Sequence, residues 1–292
     1  MATSDPSVVL RASSSPTTSQ TAAVDVVFAL DFDGVVCDSE PESSISGWKH
    51  GVELWPEVFC SPGVDEAEHD RVLSELKAVR PVVETGFENT ILARALLEKI
   101  HSVDDIIAGW GTLLPDLMAR WGLERGAMVS GYGTIRDEWM EADLDGWLAP
   151  NLLYPGVAEA CIAAENSSAC DVFIVTTKQA RFASAIMERK GNLVIPPERV
   201  FSQTVSGIPK TAVLADLGAA APAARKVFVE DKLSTLEKVC ATDGLEAWEL
   251  YLVDWGYNTA AERERAARNP RIEVIAVDDF TAMLRSVAGA GV

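Results

Sequence analysis

The stretch VDVVFALDFDGVVCDS, residues 24–39, decides the fold class of this chain. Its first half is an apolar run with the length of a buried strand, and Asp31, Asp33 and Gly34 follow directly. Two carboxylates at positions i and i+2 leave a strand end in the same direction if the strand geometry persists. Gly34 lets the backbone turn sharply and approach a ligand. An Asp-rich turn that only closes a strand is the alternative interpretation of this motif taken alone.

Further apolar runs of strand length follow downstream, with helical patterns between most of them. The runs are DVFIVTT at 171–177, KVFVEDK at 226–232, ELYLVDW at 249–255 and RIEVIAV at 271–277. The helical patterns cover 156–166, 179–191, 233–242, 259–269 and 278–287. Repeated strand–helix alternation indicates a parallel sheet with helices on both faces. We therefore predict an α/β fold whose Rossmann-like, three-layer α/β/α core comprises residues 24–38 and 150–292.

The remaining segments do not follow that alternation. Residues 39–149 show helical patterns, no strong β-run and six of the eight tryptophans, which predicts an inserted α-helical cap domain. Residues 1–23 are rich in Ser and Thr and hold a single arginine. We interpret them as a disordered tail, and a plastid or mitochondrial transit segment is the alternative.

Composition restricts the functional classes. The chain has 292 residues with 25 Lys+Arg against 44 Asp+Glu, a net charge of −19. This acidity argues against partners with phosphate backbones and against anionic membranes, so we expect neither nucleic acid nor membrane binding. No apolar run approaches the roughly 20 residues that span a bilayer. Five cysteines without a C-x-x-C pair suit a reduced compartment, so we expect a soluble, intracellular, cytoplasmic protein.

A second acidic motif, Glu230-Asp231, follows the apolar run KVFV. Together with Asp31 and Asp33, it would bring four carboxylates to one edge of the predicted sheet. Two like charges ~4 Å apart repel by about 4 kcal/mol at an effective dielectric constant near 20. A bound divalent cation removes this repulsion, and oxygen ligands select a hard ion such as Mg²⁺.

Two further motifs supply groups that suit a phosphate. Thr176-Thr177-Lys178 follows the run VFIV, and hydroxyls with backbone N–H groups at a helix start bind phosphate oxygens. A capping role for the helix that follows is the alternative. Lys210 in SGIPKTAVL lies in the first turn of a predicted helix, where a cation is unfavourable for the helix dipole. That position fits a lysine aimed at carboxylates or phosphate, and an exposed surface lysine is the alternative.

These four motifs together resemble those of a known family. DFDGVVCDS, TTK, GIPK and VFVEDK occur in the order and type of the four motifs of the haloacid dehalogenase-like hydrolase superfamily. The insertion after the first motif resembles the helical cap of its phosphatase and phosphomutase branches. The Glu-Asp pair is similar to the acidic motif of the β-phosphoglucomutase-like members.

The resemblance implies a role for each motif residue. Asp31 would be the nucleophile that forms an aspartyl-phosphate, and Asp33 would protonate the leaving oxygen and then activate water. Lys210 would neutralise charge between Asp31 and the phosphate. Mg²⁺ would be held by Asp31, the Asp33 carbonyl and Asp231, with Glu230 beside it or bound through water. The phosphoryl group would be held by Thr176 and the N–H groups of Phe32, Gly34 and Thr177.

The implied function is Mg²⁺-dependent hydrolysis of a small phosphorylated metabolite. A phosphomutase of the β-phosphoglucomutase type is one alternative, and a metabolite-binding or interaction protein that kept the fold is another. The phosphatase is favoured because the cap sequence offers only Lys77 and Arg80 for holding a bisphosphate. Arg80 and Glu84 lie in a segment similar to the loop that supplies a substrate-binding arginine in mutase-like members. A surface ion pair between Arg80 and Glu84 is the alternative.

Overall fold

The computed structural model describes residues 24–288 of the chain. The tail or transit segment predicted for residues 1–23 lies outside them. The strands are β1 (Val26–Leu30), β2 (Cys37–Asp38), β3 (Leu152–Leu153), β4 (Cys170–Thr176), β5 (Val200–Ser202), β6 (Arg225–Glu230), β7 (Trp248–Val253) and β8 (Ile272–Ile275). The helices up to β3 are α1 (Glu40–Leu54), α2 (Pro56–Phe59), α3 (Glu66–Val79), α4 (Glu88–Leu97), α5 (Val103–Arg120), α6 (Arg125–Ala142) and α7 (Leu144–Leu148). The later helices are α8 (Val157–Glu165), α9 (Ala180–Gly191), α10 (Gln203–Ser206), α11 (Lys210–Ala220), α12 (Leu233–Cys240), α13 (Ala260–Ala266) and α14 (Val277–Ala288).

Six strands form one parallel sheet in the order β5-β4-β1-β6-β7-β8. β1 lies between β4 and β6, and the chain order reverses at this point of the sheet. In open parallel sheets, ligands bind at the carboxyl ends of the strands beside such a switch point. The predicted fold class, a Rossmann-like α/β/α core with a helical insertion, is confirmed.

The central strand is buried on both faces because helices cover both sides of the sheet. Val26, Phe28 and Leu30 face one hydrophobic cluster, which includes residues of α8, α9 and α14. Val27 and Ala29 face the other cluster, which includes residues of α11 and α12. This two-sided burial explains why β1 is a continuous apolar run instead of an alternating one.

Three short strands, β2, β3 and β5, are not predicted from the sequence. β5 has three residues, which is too short to give a pattern. β2 and β3 pair with each other in antiparallel fashion, with Cys37 opposite Leu153. β2 and β3 belong to the two connections between the sheet and the helices α1–α7. Their pairing therefore places these two connections side by side.

The helices α1–α7 form the inserted cap around a hydrophobic cluster of their own. Val72, Leu76, Ile91 and Leu92 are fully buried there, and α1 packs against α4. Ser102 caps the start of α5 in a reciprocal capping box with Asp105. Among the helices of residues 24–288, none is both long enough and apolar enough to cross a membrane.

The cap core also contains a buried histidine whose charge state should set the acid stability of the protein. His50 is 2% exposed, and its Nδ1 lies 3.0 Å from the Thr90 hydroxyl. Burial lowers the pKa of His50 from 6.5 to about 4. The contribution of His50 to the free energy of unfolding is therefore complete above pH 6.5 and is lost as the pH falls towards 4. The reason is that His50 takes up its proton at a higher pH in the unfolded chain than in the folded protein.

We expect the wild-type protein to lose about 2–3 kcal/mol of unfolding free energy over this range through His50. His50→Gln should have a flatter profile, whereas the control His69→Gln, at a half-exposed position of α3, should follow the wild type. The measurement is chemical unfolding at closely spaced pH values. Identical slopes in wild type and His50→Gln would contradict the assignment.

Candidate active site

The centre of the site is a lysine that bridges two carboxylates. Lys210 is the first residue of α11, and its Nζ lies 2.9 Å from Asp31 Oδ2 and 2.8 Å from Glu230 Oε2. The lysine is 7% exposed, and burial by itself would lower its pKa. The two carboxylates outweigh burial and raise the pKa of Lys210, so the ammonium stays charged. The alternative interpretation of Lys210 as an exposed surface residue is wrong.

Three acids at the ends of β1 and β6 form a buried cluster. Oxygen atoms of Asp31, Glu230 and Asp231 all lie within 4.8 Å of one another. Burial raises the pKa of Glu230 well above its usual value, and the charge of Asp31 raises it further against the effect of Lys210. Burial also raises the pKa of Asp231, with Lys232 opposing this effect and Asp31 adding to it. One lysine therefore leaves the cluster short of positive charge.

The backbone around Asp231 is built for close approach. Gly34 has a φ of +83°, and a Cβ placed there would come within 2.3 Å of Asp231 Oδ2. Only glycine satisfies both the left-handed conformation and the lack of space. The Tyr257 N–H donates to Asp231 Oδ2 at 2.9 Å, which fixes the carboxylate beside the turn. Oxygen donors gathered in this way suit a hard divalent cation.

Glu230 is fully engaged by the protein itself. Its Oε2 contacts Lys210, and its Oε1 accepts hydrogen bonds from the backbone N–H groups of Asp231 and Lys232 at 3.0 and 3.1 Å. Glu230 thus positions Lys210, and of the three clustered acids it has the least capacity left for a direct metal bond.

Asp33 follows Asp31 by two residues and is held by hydrogen bonds to one of its two carboxylate oxygens. Its Oδ1 accepts from the Ser39 hydroxyl at 2.5 Å and from Lys178 Nζ at 3.2 Å. Among the described residues, none donates to Oδ2. Burial would raise the pKa of Asp33, but Lys178, Arg80 and the Ser39 hydrogen bond outweigh it and lower the pKa.

A buried ion pair of the cap continues this network. Arg136 on α6 donates to Glu42 on α1 through two bonds of 2.8 and 2.7 Å. Lys178 Nζ lies 3.6 Å from Glu42 Oε2, so Glu42 connects the cap arginine to the lysine that holds Asp33. Sequence patterns do not predict the pairing of Glu42 with Arg136, because the two residues are 94 positions apart and lie within ordinary helical patterns.

The phosphate-binding candidates lie around the same edge. Thr176 ends β4, and its Oγ1 accepts from the Lys178 N–H at 3.0 Å, while the Thr177 hydroxyl donates to the cap at the Glu84 carbonyl. Neither threonine caps α9, whose N-cap is Gln179. Two of the predicted N–H donors are engaged internally, that of Phe32 with Asp31 Oδ1 and that of Gly34 with the Cys37 carbonyl that closes the turn.

The cap segment 80–86 faces these residues. Arg80 is buried and its guanidinium lies 3.8 Å from the centre of the Tyr257 ring, whereas Glu84 is exposed. The two residues form no ion pair within the described chain, so the interpretation as a surface pair is wrong. Lys77 is an exposed residue of α3 and does not line the cavity described next.

A cavity of about 430 Å³ separates the cap segment from the sheet edge. Its walls include the catalytic candidates Asp31, Asp33 and Lys210 and the cap residues Arg80 and Glu84. Its size is in the range of small-molecule sites.

The same architecture occurs in solved structures. A predicted phosphatase from Clostridium acetobutylicum matches with a TM-score of 0.53 at 13% sequence identity, over 90% of this chain and 99% of that chain. A predicted phosphoglycolate phosphatase from Haemophilus somnus 129pt matches with a TM-score of 0.53 at 13% identity, over 91% and 98% of the two chains. No family model and no curated protein matches the sequence. The fold that the resemblance of the four motifs implies is confirmed, since this chain has the same fold as these two solved structures.

Proposed function

We propose that the protein is a Mg²⁺-dependent phosphatase that hydrolyses a small phosphate monoester through an aspartyl-phosphate on Asp31. The observation that carries the proposal is the contact of Lys210 with Asp31 beside the buried acid Asp231, in a cavity closed by a cap. The names of the two solved structures with the same fold, a predicted phosphatase and a predicted phosphoglycolate phosphatase, support it.

In the first step, an oxygen of Asp31 attacks phosphorus and the ester oxygen leaves on the opposite side. Asp33 donates its proton to that oxygen through Oδ2, because Oδ1 is held by Ser39 and Lys178. The incoming phosphate brings negative charge close to Asp33, which raises its pKa and favours the protonated form. Lys210 stabilises the charge that builds up on the transferring group.

In the second step, water attacks the aspartyl-phosphate and releases inorganic phosphate. Asp33, now a carboxylate, accepts the proton of that water. Its lowered pKa keeps the carboxylate deprotonated until this step. Asp31 returns to its initial state. The cap excludes bulk water from the cavity during the first step. After the alcohol has left, a single positioned water molecule takes its place for the second step.

The acidic cluster fits a divalent cation. Asp31, the carbonyl oxygen of Asp33 and Asp231 would hold it, and Gly34 leaves the space that the Asp231 carboxylate requires. When bound, Mg²⁺ supplies positive charge that offsets the repulsion among the acids and the charge of the phosphoryl oxygens.

A phosphomutase is the second candidate, and the buried Arg80 favours it because a guanidinium suits a second phosphate group. A mutase would pass the phosphoryl group to a substrate hydroxyl instead of water. The phosphatase should release inorganic phosphate from monophosphates without a bisphosphate activator, in a screen of phosphorylated metabolites with Mg²⁺. Bisphosphate-dependent isomerisation with negligible phosphate release would establish the mutase. If the protein shows neither phosphate release nor isomerisation, it is a binding protein.

The nucleophile is tested by Asp31→Asn, because an amide does not attack phosphorus. The loss should exceed the roughly 10²–10³-fold effect of removing one stabilising donor. Lys210 keeps its bond to Glu230, so the variant should fold. The matched control is Asp25→Asn, at an exposed position directly before the same strand, which should keep full activity. Near-wild-type phosphate release by folded Asp31→Asn would rule out the mechanism.

The metal is tested by stability as well as activity. The raised pKa values of Glu230 and Asp231 mean that metal-free protein is more stable below pH 4 through these groups and loses that stability as the pH rises. Mg²⁺ should therefore raise the melting temperature by several degrees, and more at pH 8 than at pH 5.

Asp231→Asn should abolish most of this Mg²⁺-dependent stabilisation and lower activity with it. The control Asp254→Asn removes an exposed acid just after β7 and should behave as the wild type does. Activity of the wild type that persists after exhaustive chelation would contradict the Mg²⁺ assignment.

A further inference from the structure

Tyr257 connects the acidic cluster of the core to the start of the cap. Its backbone N–H donates to Asp231 Oδ2 at 2.9 Å, and its hydroxyl donates to Asp38 Oδ1 at 2.7 Å. The same hydroxyl accepts the backbone N–H groups of Ser39 and Glu40 at 2.8 and 3.0 Å. A phenol hydroxyl both donates and accepts, and here three hydrogen bonds converge on it.

The Tyr257 hydroxyl takes the place of a capping side chain at the start of α1. The helix begins at Glu40, and the side chain of its N-cap residue Ser39 makes no capping bond within residues 24–288. The first backbone N–H groups of a helix lack a partner inside it, and such a group is costly to bury unpaired. Ser39 is fully buried and Glu40 is 5% exposed. A residue of the core therefore satisfies donors that belong to the cap.

Ser39 extends this contact to the proposed acid–base group. Since the Ser39 hydroxyl does not cap the helix, it donates to Asp33 Oδ1 at 2.5 Å instead. The backbone N–H of the same serine is held by Tyr257. Ser39 is thus fixed by the tyrosine through its backbone and orients Asp33 through its side chain.

The turn that carries Tyr257 is seated firmly against the acidic cluster. A Cβ on Gly256 would come within 2.5 Å of Asp231 Cβ, so the turn approaches this acid with backbone alone. Asn258 is 8% exposed, and its Nδ2 donates to the carbonyls of Asp231 and Val253 at 2.9 and 2.8 Å. The described residues that line the cavity do not include Tyr257. Its effect on the reaction therefore passes through the groups that it holds.

We propose that Tyr257 is a positioning residue that couples the metal site at Asp231 to the acid–base group Asp33. The inference rests on the proposed phosphatase function and specifies how its metal site controls the orientation of the proton donor. A cation held at Asp231 would fix the carboxylate that accepts the Tyr257 N–H. The tyrosine hydroxyl would then hold the start of α1 and, through Ser39, the carboxyl group of Asp33.

The first test measures amide hydrogen exchange by NMR and requires no turnover. The N–H groups of Ser39 and Glu40 donate to the Tyr257 hydroxyl, so their exchange rates report this contact directly. In the wild type, Mg²⁺ should slow their exchange about tenfold. In Tyr257→Phe, they should exchange faster, and Mg²⁺ should slow them much less. The control is the Glu68 N–H, which Asp65 caps at the start of α3 and which should not respond to Mg²⁺.

The wild-type comparison is decisive without any variant, including the case in which Tyr257→Phe does not fold. If Mg²⁺ raises the melting temperature but leaves the exchange of Ser39 and Glu40 unchanged, the coupling is overturned. If the Glu68 amide slows as much as these two amides do, the effect is a general stabilisation, and the coupling is overturned as well.

The second test compares two esters that differ in their need for a proton donor. The alkoxide of ethyl phosphate is a poor leaving group, whereas that of p-nitrophenyl phosphate leaves readily without protonation. Tyr257→Phe should lower kcat/KM about tenfold for ethyl phosphate, and the loss should be several times smaller for p-nitrophenyl phosphate. The matched control Tyr251→Phe removes a hydroxyl that contacts Glu249 on β7 and should match the wild type. An equal loss on both esters shows a general structural role and overturns the inference.

A double-mutant cycle determines whether Tyr257 acts through Ser39. Ser39→Ala removes the hydroxyl that holds Asp33 and should itself lower kcat/KM for ethyl phosphate. Adding Tyr257→Phe to this variant should lower kcat/KM by less than about twofold more, because the route to Asp33 is already broken. Two losses that multiply would contradict the route through Ser39.

Failure of the proposed function and failure of the inference are distinguishable. If the wild type releases phosphate from neither ester nor from the screened metabolites, the proposed function is overturned, and the role of Asp33 as the coupled group falls with it. If phosphate is released but the two amides do not respond to Mg²⁺, only the coupling through Tyr257 is overturned.

Discussion

The ion pair network of Lys210 is the interaction on which the site depends. Asp31, Glu230 and Asp231 are buried within 4.8 Å of one another, and like charges at such distances oppose folding. Lys210 offsets part of this repulsion by contacting Asp31 and Glu230 together. The repulsion arises from the parallel sheet, since it brings the acids at the ends of β1 and β6 side by side. The first residue of α11 supplies the positive charge that opposes it.

The second organising feature is the continuity of charge between core and cap. Asp33 is held by Lys178, Lys178 lies against Glu42, and Glu42 is bound by Arg136. Desolvating such groups is costly, and only well-formed, mutually bonded geometry compensates. A cap moved away from the core would break this chain at Glu42. The position of the cap and the orientation of Asp33 are therefore coupled through Lys178.

The sequence predicts those parts of the site whose residues directly follow a strand or begin a helix. Asp31, Asp231 and Lys210 each follow a strand or begin a helix, so topology alone brings them to one sheet edge. The strand–helix alternation likewise predicted the fold class, while β5 was too short to give a pattern. Contacts across the cap interface, such as Glu42 with Arg136, depend on how helices pack. Local periodicity carries no information on such packing, and the pairing was not predictable.

The covalent route through Asp31 is tested most directly by the stereochemistry at phosphorus. A phosphorothioate monoester made chiral with ¹⁶O and ¹⁸O, hydrolysed in ¹⁷O-water, yields chiral thiophosphate whose configuration can be determined. Attack by Asp31 followed by attack of water comprises two in-line displacements, each of which inverts phosphorus. The account predicts net retention of configuration. Net inversion would show a single direct attack by water and would contradict it.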